Sequence, residues 1–415
     1  MKKFLILICF AYLIVSCTDD DTLVVQCDIV TNIASNSITD NSALIVWETT
    51  NHSAFYTLEY GVSGFALGSG ISVTEANTST NLINLQVNTT YDVYIQTVCS
   101  SNNTSIYTDA YSFTTLPPTV IAELRPNLSE LNLYLGNLNE LTISSRAFEY
   151  DLSTPLFTDY SKKQRLIALP VNTSMQFNGD GLPIFPDNTV IAKTFYYNLN
   201  ERDLSEGRQI IETRILIKKD GDWITGDYKW NEDQTDAVLH LEGSTLPISW
   251  IDADGNTKST TYRIPSDTAC FTCHQSFDDT VPIGPKLRTM NFDFNGTNQL
   301  QQLINDGQLT GLTDVSSVNT LPNWQDTTAS LEERSRAYFD VNCAHCHTSG
   351  GQCEDQSSLN LAYETLLENT DIVERKLSIQ FRISEYNEGV SMPFIGTTLL
   401  HTEGVDLIQD YLDTL

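Results

Sequence analysis

Positive charge is what this chain has least of: 23 Lys and Arg stand against 53 Asp and Glu in 415 residues, a formal net charge of −30. Nucleic-acid binding is excluded on that ground, because phosphate contacts need clustered Lys and Arg. Such an acidic chain suits partners with a positive patch, or small neutral ones. Methionine (4) and histidine (6) are also scarce, so any that fall at a chemically meaningful spacing carry weight. No apolar run beyond the first fifteen residues is long enough to cross a bilayer. There is no serine or cysteine nucleophile with an evident base, no phosphate-cradling glycine loop and no paired-carboxylate signature. The length predicts two to three domains, each with apolar content for a core.

Against those absences, one string occurs twice. Cys270-Phe-Thr-Cys273-His274 and Cys343-Ala-His-Cys346-His347 are both C-x-x-C-H, the spacing that attaches haem c. Two thiols must reach the two vinyl groups of one porphyrin while the next residue reaches its iron, and positions i, i+3 and i+4 share one helical face. A zinc site built from two knuckles is the competitor, with four thiolates or a thiolate and imidazole mixture. It gives no reason for a histidine directly after each pair, and neither does a redox dithiol. The expectation is two covalently bound haem c groups on Cys270, Cys273 and His274, and on Cys343, Cys346 and His347.

The start of the chain bears on compartment. Lys2 and Lys3 precede an apolar stretch from Phe4 to Val15, which ends at Ser16-Cys17. This resembles a bacterial lipoprotein signal, with residues 1–16 removed and Cys17 lipidated; an ordinary signal peptide is the alternative. Several acyl chains on one cysteine give stable anchoring to a membrane. Residues 17–26 form an acidic tether whose Asp19, Asp20 and Asp21 resemble a surface-export signal, or act as a solvated spacer. The expected location is the cell envelope, lipid-anchored at the outer membrane, with the periplasmic or cell-surface face left open. Of nine cysteines, Cys9 leaves with the signal, Cys17 is lipidated and four hold haem. An oxidising compartment favours pairing of Cys27 with Cys99, which leaves Cys353 as the odd thiol near the second motif.

Residues 27–115 predict an all-β sandwich. Short runs at Ala43 to Glu48, Tyr56 to Tyr60 and Tyr91 to Cys99 are bounded by Asn, Ser, Thr and Gly clusters. Alternation puts Tyr91, Val93, Ile95 and Cys99 on one face. With Trp47 on an early strand, Leu85 and Tyr91 at a tyrosine corner and Phe113-Thr114-Thr115 closing, the segment resembles a fibronectin type III domain. That resemblance implies carbohydrate or protein contact, or a spacer. Leu116-Pro117-Pro118 reads as a stiff linker. Residues 119–265 predict a β-rich domain of another kind, with strands at Val190 to Tyr197, Arg214 to Lys219, Trp223 to Trp230 and Ala237 to Leu241, and hairpin turns at Asp220-Gly221 and Asp254-Gly255. Trp223, Trp230 and Trp250 read as packing residues, and His240 as a satisfied core histidine or a haem ligand from another element.

The strings from Leu156-Phe-Thr-Asp-Tyr160 through Phe185-Pro-Asp187, Lys193-Thr-Phe195 and Glu212-Thr-Arg214 to the second C-x-x-C-H resemble a family of bacterial dihaem c-type cytochromes. The resemblance spans about 290 residues and implies two haems and electron transfer. A weaker similarity to lysine-cross-linked monohaem cytochromes implies Lys193 as a cross-link candidate; its strand position reads as a salt-bridging lysine. Residues 266–325 form the first haem segment and 326–415 a mainly α, cytochrome c-like domain. In the latter, Ser330-Leu-Glu-Glu333 is a capping box opening a helix with Ala337, Tyr338 and Val341 on its apolar face, and Val405, Ile408, Leu412 and Leu415 recur at helical spacing. Met392-Pro393 lies at the separation from His347 of a distal thioether ligand, which raises the reduction potential relative to two nitrogens. Arg382 reads as a propionate partner or an exposed ion pair. In Gly284-Pro285-Lys-Leu287 the Pro285 carbonyl is expected to accept the His274 imidazole N–H. The sixth ligand of the first haem is Met290, His240, Met175 or none. The expected function is single-electron transfer to an envelope redox partner. A haem-dependent oxidoreductase with an open first iron, acting on peroxide or a small nitrogen compound, is the second reading, and a binding lipoprotein with structural haem the third.

Overall fold

The computed structural model describes residues 26–50 and 55–415, so Cys9, Cys17 and the acidic tether at Asp19–Asp21 lie outside the described residues. The chain divides into two units, Met1–Leu116 and Pro117–Leu415. No helix among the described residues is long and apolar enough to cross a membrane.

In the first unit, β1 (Thr31–Asn36), β2 (Ser42–Glu48), β3 (Phe55–Val62), β4 (Ile71–Glu75), β5 (Ser79–Ile83), β6 (Thr90–Ser100), β7 (Asn103–Thr104) and β8 (Tyr111–Thr114) form two antiparallel sheets. One is ordered β1-β2-β5; the other is β4-β3-β6, with β7 and β8 both pairing to β6. The arrangement is that of a fibronectin type III sandwich. Period-two alternation buries Tyr91, Val93 and Ile95 against Trp47, Tyr56 and Leu58. The Tyr91 hydroxyl accepts from the Gln86 amide at 2.8 Å, which ties the strand entry to the preceding corner. A disulfide joins Cys27 to Cys99, with Cα atoms 5.8 Å apart.

The second unit is built on a six-stranded antiparallel sheet. Its strands are β9 (Phe148–Glu149), β10 (Lys162–Ala168), β12 (Val190–Asn198), β13 (Arg208–Lys219), β14 (Asp222–Trp230) and β15 (Ala237–Leu239), in the order β15-β14-β13-β12-β10-β9. Between them in sequence, β11 (Met175–Gln176) pairs instead with Leu309–Thr310. The β13–β14 hairpin closes on Asp220-Gly221, both at positive φ, as a two-residue turn that matches strand twist requires. A hairpin of β16 (Ser244–Ile251) and β17 (Thr257–Ile264) follows, then α1 (Asp267–Cys273), the short pair β18 (Gln275–Ser276) and β19 (Asp279–Thr280), α2 (Leu287–Met290), α3 (Gln299–Asn305), α4 (Leu331–Asn342), α5 (Ile372–Ser384) and α6 (Thr402–Thr414).

Both faces of the six-stranded sheet are covered, but by different chemistry. One carries Leu166, Ala192, Ile215, Ile217, Tyr228 and Trp230, packed on Leu128 and Leu131. The other has Ile167, Ile191 and Leu216 at one end, sealed by Met175, Leu287 and Met290. At its other end the same face is ionic. Arg165, Lys193, Arg214 and Asp227 stand directly opposite one another on β10, β12, β13 and β14, and because paired residues point to one side they form a single row.

Around the second motif, Ser330 caps α4 in a capping box with Glu333. Leu407, Ile408, Tyr411 and Leu412 of α6 are buried, with Phe339, Ile372 and Ile379 in the same core. Leu415 remains 37% exposed, since the helix ends one residue before it. The helix α5, not among the expected elements, supplies Ile372 and Ile379 to this core.

Candidate cofactor site at the junction of the two motifs

Ser266 caps α1 by accepting from the Ala269 amide, and one short helical run then places Cys270 and Cys273 three residues apart, with His274 as its C-cap. The acceptor for the imidazole is the Val281 carbonyl, 2.8 Å from His274 Nδ1; it is not Pro285. The reason is the β18–β19 hairpin, which turns the chain back so that Val281 also donates its amide to the His274 carbonyl at 2.7 Å. That bond leaves Nε2 as the ligating nitrogen. Burial and the nearby Lys193 hold His274 at a pKa of about 3, so the ring is neutral, as a metal ligand must be.

The second motif repeats the geometry at the end of α4. Cys343 is the C-cap, and its carbonyl accepts from the Cys346 amide at 3.1 Å and the His347 amide at 3.0 Å. The Nδ1 atoms of His345 and His347 are both buried without a partner. The two motifs abut. Cys346 Sγ lies 3.8 Å from the Thr272 carbonyl, and the Phe277 amide donates to the Gly350 carbonyl at 2.6 Å. Gly350 has φ +79° with the Phe277 ring at 2.7 Å from any added Cβ, so this approach demands glycine. The donor atoms of Cys273, His345 and Cys346 all lie within 4.8 Å of one another. Hydrogen bonding from Cys346, against the opposing effect of burial and with help from His345, lowers the Cys273 thiol to about 4. The odd thiol Cys353 adjoins this cluster, its backbone N–H donating a hydrogen bond to the Cys346 carbonyl at 3.1 Å.

A cavity of about 370 Å³ opens at the junction. Its walls include Cys273, Val281 and Pro282 after the first motif, Ala344 and His345 of the second, and Lys163, Arg165 and Lys193 of the ionic sheet end. Met290 and Met175 are fully buried in the apolar core instead and do not line it. Trp230 and Trp250 are packing residues: Trp230 Nε1 donates to Thr213, and Trp250 lies 4.8 Å from the Tyr197 ring. His240 departs from the expectation of a satisfied ring, since its Nε2 is buried without a partner; its neighbour Leu241 accepts from Asp267 at the start of α1.

A second, narrower cleft of about 40 Å³ runs between α4, α6 and the 385–400 segment. It brings together Cys343, Met392, Tyr338, Tyr386 and His401. Arg382 donates to the Val390 carbonyl at 2.8 Å and accepts Met392 at its own carbonyl at 2.9 Å, so it shapes the turn that carries the thioether. The Leu156–Tyr160 string packs on residues 398–401 behind the cleft. Phe157 stacks on His401 with centroids 4.2 Å apart, and the buried Asp159 carboxylate accepts from the amides of Thr398 and Leu399 at 2.7 and 2.9 Å. His401 and His345 went unread in the sequence, the first because nothing marks its spacing and the second because it occupies a variable position inside the motif.

The residues present fit haem c. Each site offers two thiols and a histidine on one turn, and the first imidazole has its second nitrogen bonded to a carbonyl. A porphyrin at the second motif requires the 385–400 segment to part from α4, because the cleft there is small.

No family model and no curated protein matches this chain. Solved structures do match over the first unit, fibronectin type III domains among them. The domain of the human collagen α-1(XX) chain is 23% identical over 23% of this chain and 90% of its own, with a TM-score of 0.21. That of human contactin 1 is 16% identical over 22% of this chain and 80% of its own, with a TM-score of 0.20.

Proposed function

We propose that the chain is a dihaem c-type cytochrome of the bacterial cell envelope, anchored by lipid at Cys17, that passes single electrons between a donor and an acceptor protein. The observation that carries this reading is the convergence of two C-x-x-C-H turns, with the Cys273 and Cys346 sulfurs within 4.8 Å. Groups attached to neighbouring thiols are themselves neighbours, and an electron entering at one has a short path to the other. Haem supplies a one-electron iron couple whose potential the axial ligands set. The protein's part is to hold the rings, with Cys270, Cys273 and His274 at one site and Cys343, Cys346, His347 and Met392 at the other. It also keeps His274 neutral through burial.

A haem oxidoreductase is the second reading. It is favoured by the absence of methionine from the walls of the first cavity, with Met290 and Met175 both in the core. A soft metal ion on Cys273, His345 and Cys346 is a third outcome that the same experiment separates. The full-length protein, produced in a host with haem c maturation, is assayed by pyridine haemochrome and metal analysis. Two haems per chain are expected, falling to one in Cys343→Ala/Cys346→Ala; zinc without haem sinks the cytochrome reading. Electron paramagnetic resonance with and without cyanide then divides the first two. Two inert low-spin irons support electron transfer, and a high-spin iron that takes cyanide supports the oxidoreductase.

A further inference from the structure

We propose that the cavity at the motif junction is an anion site, in which Lys163 and Lys193 together hold a carboxylate or oxyanion group. In a chain of net charge −30, the ionic end of the sheet collects four cations, Lys163, Arg165, Lys193 and Arg214, three of them around the ring of Phe195. Lys163 Nζ is 5.6 Å, Lys193 Nζ 5.8 Å and the Arg214 guanidinium 4.5 Å from its centroid. Arg165, Lys193 and Arg214 are direct cross-strand neighbours, an arrangement of like charges that destabilises a sheet.

The arginines have counterions. Arg165 is paired with Asp151, and Arg214 bonds Glu212 at 2.6 Å. Asp227 is a poor counterion: burial and the Glu212 carboxylate push it well above the usual carboxylate range. The lysines have none. Lys163 bonds only the Ser161 carbonyl, at 3.2 Å, and Lys193 has no hydrogen bond or ion pair among the described residues. Elsewhere in the lining, Lys286 pairs with Asp340, and Asp340 and Glu364 are also paired with Arg288 behind it. The cavity therefore faces two lysine amines that have no counterion, set on rigid strands, and a fixed pair of donors facing a space of about 370 Å³ is suited to a small anionic group, whose charge would favour their protonated forms.

One chemistry has two sources here. The anion is a free oxyanion from solution or, if the cytochrome reading holds, the propionate carboxylates of the first haem; only the second source rests on that reading. The test uses the purified full-length protein, its Lys163→Gln/Lys193→Gln double variant, Lys193→Arg, and Lys258→Gln as an exposed control. Calorimetric titration with inorganic phosphate is run beside resonance Raman spectra of the haem propionate modes. Saturable phosphate binding, retained in Lys193→Arg and the control and weakened roughly tenfold or more in the double variant, establishes a free-anion site. No phosphate heat, but propionate bands displaced in the double variant alone, assigns the carboxylates to the haem. Neither response in folded protein overturns the proposal. Absence of haem from the same samples defeats the cytochrome reading by itself, and the phosphate titration then decides the anion site.

Discussion

At the residue scale, Lys193 shows how a side chain that strand pattern reads as ordinary becomes unusual through its neighbours. Alternation puts it on one face of β12, but only the pairing of β10 and β13 reveals Arg165 and Arg214 on either side. The expected salt bridge is absent for that reason: the nearest partners are cations. Burial first, then Arg165 and Arg214, lowers its pKa from 10.5 to about 7. The unfolded chain binds a proton that the folded chain lacks between those values, so stability rises with pH from about 7 to about 10.5. Below that window both states carry the proton and the charge repulsion acts in full. Lys193→Gln should stabilise the protein by on the order of 2 kcal/mol near pH 6, after discounting for solvent in the cavity, and by little near pH 10. Urea unfolding of both proteins in phosphate-free buffer at these two pH values checks this; an equal difference at both refutes it. The thiols and histidines of the motifs are legible at once because C-x-x-C-H is a fixed short-range spacing that occurs twice. His345 and the lysines were not, since their roles depend on residues tens to hundreds of positions away.

At the scale of elements, the segments set by local rules were read well and those set by tertiary packing were not. The capping box at Ser330 and the Asp220-Gly221 turn are both where short-range chemistry puts them. The hairpin β18–β19 is only two residues on each strand, too short for a periodic signal, and it moves the acceptor for His274 from Pro285 to Val281. The Leu156–Tyr160 string has no regular structure, yet it holds the end of the 385–400 segment, which carries Met392, at Thr398 and Leu399. Asp159 is its anchor, with the Thr398 hydroxyl as a third donor at 2.8 Å. Burial raises the pKa of this carboxyl while the Leu399 and Thr398 bonds oppose the rise. Asp159→Ala removes an acceptor from two amides and a hydroxyl, which costs on the order of 3 kcal/mol. It should also release the Thr397–Leu400 backbone. Hydrogen exchange of that segment is expected to quicken while β13 keeps its protection. If the cytochrome reading holds, the thioether-to-iron absorption band of the second haem weakens as well, an effect that a purely global loss of stability would not produce in protein still folded.

For the molecule as a whole, the division at Leu116 separates two ways of making a stable unit. Among the described residues, the second has five distinct patches of buried apolar side chains against its sheets and helices. The first has one, of thirteen buried residues around Trp47 and Tyr56, and it carries the disulfide. Small domains bury a lower fraction of their surface and depend more on such bridges. Cys27 and Cys99 are separated by 72 residues, so the bond closes most of the unit into one loop and restricts its unfolded ensemble, an effect worth about 2–4 kcal/mol. It fastens the segment before β1 to the end of β6, the longest strand of the sandwich. Cys27→Ser/Cys99→Ser in the full chain should therefore lower the free energy of exchange for the β6 amides of Val93 and Ile95 by about that amount. The amides of Ile191 and Ile217, in cores that share no residue with the sandwich, should keep their protection. Equal loss in both sets would mean that the two units unfold as one, and unchanged β6 protection would mean that the sandwich core suffices without its bridge.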